Sequence, residues 1–382
     1  MPIKTKVIDV DENLRVARTI EVAVGSKTVV TPKRALSASK SKHYDEASLS
    51  NKVVRGFVEV YRRVDRERLR RAISDRSCEL RFNRELTSLL KKAVGDITVG
   101  LIEYDVEDGK PEEREAEHLF HLLNSPLLDI LVLPIVPKVP CDDYLKFLKG
   151  FVNAYESTSS RATLVPVIPH YSISDVVKLF EYYAKEDRVS KNLICVDFNG
   201  GNPVSQYTFV SNIAREVQRL EKEYGEPCVK YGVNLKYGKA TKKQQVVPAK
   251  DIIIFAMGFN VFGANHKVVP ISSGIGDYEL GTKVFNRADY GYYSVGMAEK
   301  FVSEVGDFEV KLADVLRDAR LAKVFNAERH GLEAFEISRA IDEGNLIKYI
   351  KSKPKIAEDQ KTLKRVLEVN RATYEEGLSK YL

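Results

Sequence analysis

Tryptophan is absent from the 382 residues, methionine occurs three times and glutamine is scarce, while 30% of the chain is charged. That balance leans toward a heat-adapted source and says nothing of function. The four cysteines, Cys78, Cys141, Cys195 and Cys228, form no CxxC pair, which argues against a disulfide framework and a cysteine-rich zinc site. No run of eighteen apolar residues exists, and the opening MPIKTKVIDVDENLR lacks the apolar centre of a signal peptide. A soluble, cytoplasmic protein with no membrane partner is expected. No G-x-G-x-x-G follows the first strand, so the main sign of a dinucleotide fold is missing, and no cofactor or metal is anticipated.

What is present is a core-forming composition, 44% apolar, with short β-rich runs between helical stretches. The runs are Asp96 to Ile102, Asp129 to Pro134, Thr163 to Ile168, Leu193 to Phe198, Val229 to Leu235 and Asp251 to Phe255. Their nearly continuous apolar character predicts strands buried on both faces, hence a parallel sheet. Helices are predicted over Cys141 to Tyr155, Ser174 to Lys185 and Gln206 to Tyr224. With candidates at Thr28 to Thr31 and Val53 to Val60 the strands number about eight, which fits a (β/α)8 TIM-like barrel over residues 1–309. A doubly wound open sheet remains the alternative. Beyond Val310 the pattern is helical, with Ala334, Ile337 and Ile341 on one stripe, Gly344 at a C-cap and Pro354 following. A helical C-terminal region, 310–382, is expected to dock on the barrel.

In a barrel, functional residues follow the C-terminal ends of strands. Asp197, in CVDFNGG, is the best placed carboxylate there for acid–base or nucleophilic work, or else a cap for the next loop. Gly200 and Gly201 would let a base approach the backbone. His170 and Tyr171 could stack on a flat base, and His266 in FGANHK could donate to a base or phosphate, the alternative in each case being an ordinary loop or packing role. His118 and His121, at i and i+3, read as a helix surface. Basic clusters at Lys33, Arg34, Lys40 and Lys42, at Arg62 to Arg76, and at Lys236 to Lys250 with Lys239, Lys242 and Lys243, could each meet phosphates or be solvated faces. Arg62 to Arg76 reads as one exposed helix with interspersed acids.

Three segments resemble the tRNA-guanine transglycosylases, especially the archaeal type and the DNA-acting relatives: ARTIEVAVGSKTVVTP (Ala17 to Pro32), the stretch Gly258 to Tyr293 with FGANHK and GTKVFNRADYGYY, and FNAERHGLEAFEISRAIDEGNLIKYI (Phe325 to Ile350). The resemblance implies base exchange on tRNA or DNA, in which an aspartate attacks C1′ of a guanosine and a 7-deazaguanine-type base replaces guanine. An active chain would be a pentosyltransferase. The family's nucleophile position carries Asn286, or Asn260 and Gly263 in another alignment, and its base-reading aspartate falls on Ile135. The Asp-Ser-Gly-Gly-Phe signature and the zinc ligands have no counterpart, and Pro169-His170 stands near the family's glutamine. Asp197 or Asp289, three residues past Asn286, could then carry the chemistry. A non-catalytic nucleic-acid-binding chain, as a homodimer or beside an active paralogue, is the other form of this expectation. An enzyme of another class acting on a small metabolite, or an inert binding protein, is the alternative.

Overall fold

A computed structural model describes residues 1–106, 109–238, 246–267, 282–302 and 307–378, with backbone alone for 375–378. Strands β1 (Ile3–Val10), β2 (Arg18–Val24) and β3 (Lys27–Val30) form an antiparallel meander. There follow β4 (Lys33–Arg34), β5 (Leu36–Ser37), β6 (Phe57–Asp65), helices α1 (Arg66–Ser74) and α2 (Arg76–Leu90), β7 (Ile97–Asp105), α3 (Glu113–Leu123), β8 (Ile130–Val132), α4 (Cys141–Glu156), β9 (Thr163–Val165), β10 (Val167–Ile168), α5 (Ile173–Lys185), β11 (Leu193–Asp197), α6 (Tyr207–Tyr224) and β12 (Val229–Val233). Then come β13 (Val246–Pro248), β14 (Val261–Phe262), β15 (Lys283–Asn286), β16 (Gly291–Ser294) and the helices α7 (Val295–Phe301), α8 (Leu312–Arg317), α9 (Ala322–Asp342), α10 (Leu346–Lys351), α11 (Pro354–Ala357) and α12 (Gln360–Leu378).

Two five-stranded parallel sheets carry the core, ordered β5-β6-β7-β8-β9 and β10-β11-β12-β14-β4. Only Ala35 separates β4 from β5, and only Pro166 separates β9 from β10. Proline has no N–H for a ladder, which accounts for the second break, while its carbonyl still accepts from Cys195 N at 2.9 Å. The connecting helices are amphipathic: α6 buries Phe209, Val210, Ile213, Ala214, Val217 and Leu220 and stops at Gly225, whose φ of +75° favours glycine.

Two expected strands lie elsewhere. Thr28 to Thr31 belongs to the antiparallel meander, through β3. Asp251 to Phe255 is a buried 3-10 turn, Ile252–Phe255, capped by the Asp251 carboxylate, and the parallel strand beside β12 is the two-residue β14. A short apolar run buried on every side has no periodicity to tell a strand from a helical turn.

Asp251 is fully buried, and its Oδ2 accepts from Tyr292 Oη at 2.7 Å, which lies 2.7 Å from His330 Nε2. Burial pushes the Asp251 carboxyl up to about 6. Its charging therefore opposes folding as pH rises from the unfolded value of 3.8 towards 6. Asp251→Asn is expected to raise stability at pH 7 by up to about 3 kcal/mol and to flatten its change between pH 4 and 7, read by urea unfolding. A variant less stable than the parent at pH 7 would contradict this.

The helices past α8 share the main core: Ala334, Ile337, Ile341, Leu346, Ile350, Ile356, Val366 and Val369 pack in one cluster with the strands. Glu333 anchors α9, accepting from Tyr290 Oη at 2.7 Å, Arg287 Nε at 2.9 Å and the Tyr349 hydroxyl, with Lys353 Nζ at 3.1 Å. Helix α12 reaches the start of the chain, where Val16 N donates to Asn370 Oδ1 (3.3 Å), Asn370 Nδ2 to Asn13 O (3.2 Å) and Tyr374 Oη to Arg15 O (2.9 Å). Among the described residues no helix is long and apolar enough to cross a membrane.

Candidate functional site

Side chains alternate faces along a strand, so Glu59, Tyr61 and Arg63 of β6 share one face, and register pairs them with Val99, Leu101 and Glu103 of β7. Glu59 is fully buried and reaches the other sheet. Its Oε1 accepts from Tyr231 Oη at 2.5 Å, and its Oε2 from Ala264 N at 3.0 Å and lies 2.7 Å from His266 Nε2. A side chain at Gly263 would collide with Glu59 Oε1, so glycine is required for this approach. An aspartate at that position would not fit.

The imidazole of His266 stacks on Tyr61, centroids 4.2 Å apart and planes 4° from parallel. Tyr61 Oη donates to Glu103 Oε2 (3.1 Å), which also takes Lys267 Nζ at 2.6 Å. Burial and the neighbouring Glu103 carboxylate push the Tyr61 phenol far up, keeping it protonated as a donor. Arg63 Nε lies 3.8 Å from Glu103 Oε1, and its guanidinium pairs with Asp105.

Asp197 closes β11 and is buried, 3% exposed. Its Oδ1 accepts from Asn199 N (3.0 Å) and Asn234 Nδ2 (2.8 Å); among the described residues nothing hydrogen-bonds to Oδ2. Burial pushes this carboxyl up, against the Asn234 and Asn199 donors and the Lys267 charge. Asn199 and Asn234 have φ of +48° and +57°, a left-handed backbone that asparagine tolerates. Asn234 also accepts from His266 N at 2.9 Å, and its carbonyl takes Gly200 N at 2.8 Å, so it ties three strand-end loops together.

Of the residues singled out in the sequence, Asp197, Gly200, Gly201, Lys236 and His266 come together. Gly200 takes φ +77°, and Gly201 bonds through its carbonyl to Lys236 N (2.8 Å), with the Gln206 side chain lying against its Cα. His170 is exposed, with its ring against Phe209, and Tyr171 spends its hydroxyl on Val139 O (2.6 Å).

The others lie apart. Asn260 sits at the opposite, N-terminal end of β14, its amide used up by Lys230 N (3.1 Å) and Arg18 O (3.0 Å). Asn286 and Asp289 occupy the β15–β16 hairpin. Asn286 bonds Phe301 O and Ala288 N, and Asp289 bonds Gly291 N and the Tyr293 hydroxyl. Arg34 is buried, paired with Glu46 at 3.3 Å, and Lys33 is drawn inward to Val53 O (2.5 Å), so neither is presented to a phosphate. Lys239, Lys242 and Lys243 lie outside the described residues. His118 and His121 remain on α3, and among the described residues no His, Cys, Asp and Glu cluster is arranged to hold a metal.

Glu59, Tyr61, Glu103, Asn234 and Lys267 went unflagged in the sequence. The usable signal was a carboxylate inside the largely apolar strands FVEVYRRVD and ITVGLIEYD, flanked two apart by Phe57 and Tyr61 at Glu59 and by Leu101 on one side at Glu103. Glu103 also lies in bridge register with Ile135, so a carboxylate stands one strand away from the place where Ile135 replaces an expected acid.

No protein-family model matches the chain, and no curated protein matches it in sequence.

Proposed function

We propose that the two parallel sheets are halves of one closed (β/α)8 barrel, and that the chain exchanges a base on a nucleic acid at its mouth with Asp197 as the reacting carboxylate. Closure is supported by β4 and β5 joining one sheet each across a single residue, by β9 and β10 doing the same, and by Glu59 bridging the sheets. The role of Asp197 is supported by one observation above the others: one oxygen is fixed by Asn199 and Asn234 while Oδ2 is unengaged among the described residues.

In this mechanism Oδ2 attacks C1′ of the target nucleotide, the C1′–N9 bond breaks and guanine leaves. The incoming 7-deazaguanine-type base then displaces the ester and regenerates the carboxylate. Lys267, held by Glu103, gives a proton to the departing base and regains one from the incoming base, so the pair ends each cycle as it began. In this reading Glu103 and Tyr61 are the groups that read the edge of the base.

Incorporation of radiolabelled guanine into tRNA and into DNA is the direct test, and inertness toward both, alone and with an active paralogue, would overturn the proposal. The Lys267 charge favours ionised Asp197, whereas Glu103 opposes it. Lys267→Met is therefore expected to shift the acidic limb of the kcat/KM–pH profile upward, so that activity is lost at a higher pH than in the parent. An unmoved or lowered limb would remove Lys267 from this role.

A further inference from the structure

From Arg62 to Glu85 the chain is strongly one-sided: residues 62–85 hold nine arginines against five acids, a local +4 in a chain of formal charge +6. Past the end of β6 it folds as two helices rather than one, broken at Asp75, whose carboxylate caps α2 through Ser77 N at 2.8 Å. Most of the acids are spent within and beside the pair, Glu85 taking Lys40, Arg62 and Arg68, Glu115 taking Arg66 and Arg70, and Glu67 taking Arg71, while Glu79 on α2 is exposed and meets no cation among the described residues.

Arg76, Arg81 and Arg84 on α2 are exposed and, among the described residues, meet no carboxylate. Both helices also begin on arginine, at Arg66 and Arg76, where a cation opposes the helix dipole and does nothing for helix stability. Arg68 and Arg71 of α1, paired to Glu85 and Glu67, meet Arg81 of α2 around a cleft of about 330 Å³ that Asp65 and Phe82 also line, and Arg81 brings the cation not paired there. Helix α1 starts directly after β6, the strand that delivers Glu59, Tyr61 and Arg63, so this face borders the candidate site.

We infer that the α1–α2 face is the phosphate-backbone docking surface for the nucleic acid whose base reaches Asp197, an assignment that rests on the base-exchange proposal. Arginine forks suit phosphate oxygens, and unpaired arginines release counterions from the duplex when they bind. An anionic membrane is the poorer fit, because Ile73 and Leu80 are the only large apolar side chains these helices expose.

The test uses the full chain, fluorescein-labelled tRNA and a labelled short DNA duplex, with anisotropy titrations across a salt series. The triple variant Arg76→Gln, Arg81→Gln, Arg84→Gln is expected to bind about 10- to 100-fold more weakly and to flatten the log K against log salt slope by about 2–3. Replacing the same three by lysine should restore most of the slope. Each single Gln variant, expected to lose about one unit of slope, carries the test should the triple fold poorly. A parent that binds and exchanges, with a Gln variant of equal affinity and slope, overturns this surface alone. A parent that binds neither nucleic acid overturns the base-exchange proposal with it, and selective binding to phosphatidylserine vesicles assigns the face to a membrane instead.

Discussion

Asp197→Asn is expected to lower kcat for base exchange by about 10³-fold or more while leaving the fold intact. An amide cannot form the ester to C1′, so the covalent protein–nucleic acid adduct trapped on a denaturing gel should vanish as well. The asparagine oxygen can still accept from Asn199 N and Asn234 Nδ2, so the loop geometry has a means of surviving. Burial already disfavours charge at this position. Removing it should leave the melting temperature unchanged or raise it, and that separates loss of chemistry from loss of structure. Exchange within about 10-fold of the parent would take Asp197 out of the reaction.

Glu333→Ala is expected to cost about 3–5 kcal/mol, because it strands Arg287, Lys353 and the hydroxyl of buried Tyr290 around an empty position. Burial alone would raise the Glu333 carboxyl; Lys353, Tyr349, Arg287 and Tyr290 outweigh it and hold the group below its usual range. A carboxylate depressed in the folded state adds stability above its unfolded pKa, and that contribution fades as pH falls through the folded value. The deficit of the variant, measured by urea unfolding, should therefore be largest near neutrality and shrink in acid. Glu333→Gln, which keeps an acceptor for the tyrosines, should lose less. A deficit under about 1 kcal/mol for the alanine variant at pH 7 would show that the hub contributes little.

Helices α4, α5 and α6 were legible almost to the residue, because each has a long apolar stripe, and α6 also stops on a glycine, Gly225. The strand β14 was not. Two residues are too few for a pattern, and the neighbouring IIIF imitates a strand while serving as a turn. Asp197 was singled out because it ends an apolar strand, and His266 because it follows a Gly-Ala-Asn loop. Glu59 and Glu103 were hidden within strands, where their meaning depends on which strand lies across the interior. Asn286 was drawn toward the chemistry by the family resemblance and Asp289 by lying three residues past it, and the hairpin pairing of Asn286 with Gly291 turns them to other partners. The break at Asp75 was likewise invisible in a run of arginines and acids that reads as continuous helix.

The bonds from Asn370 and Tyr374 back to Asn13, Arg15 and Val16 join positions more than 350 residues apart. Chains with such distant partners fold slowly, since the loop must close before its contacts reward it. During synthesis at about 5–20 residues per second, the opening meander would wait roughly 20–70 s for helix α12 to be made. Until then the connection between β1 and β2 lacks these partners on the ribosome, which makes the nascent chain, rather than the finished protein, the species most exposed to chaperones and to aggregation.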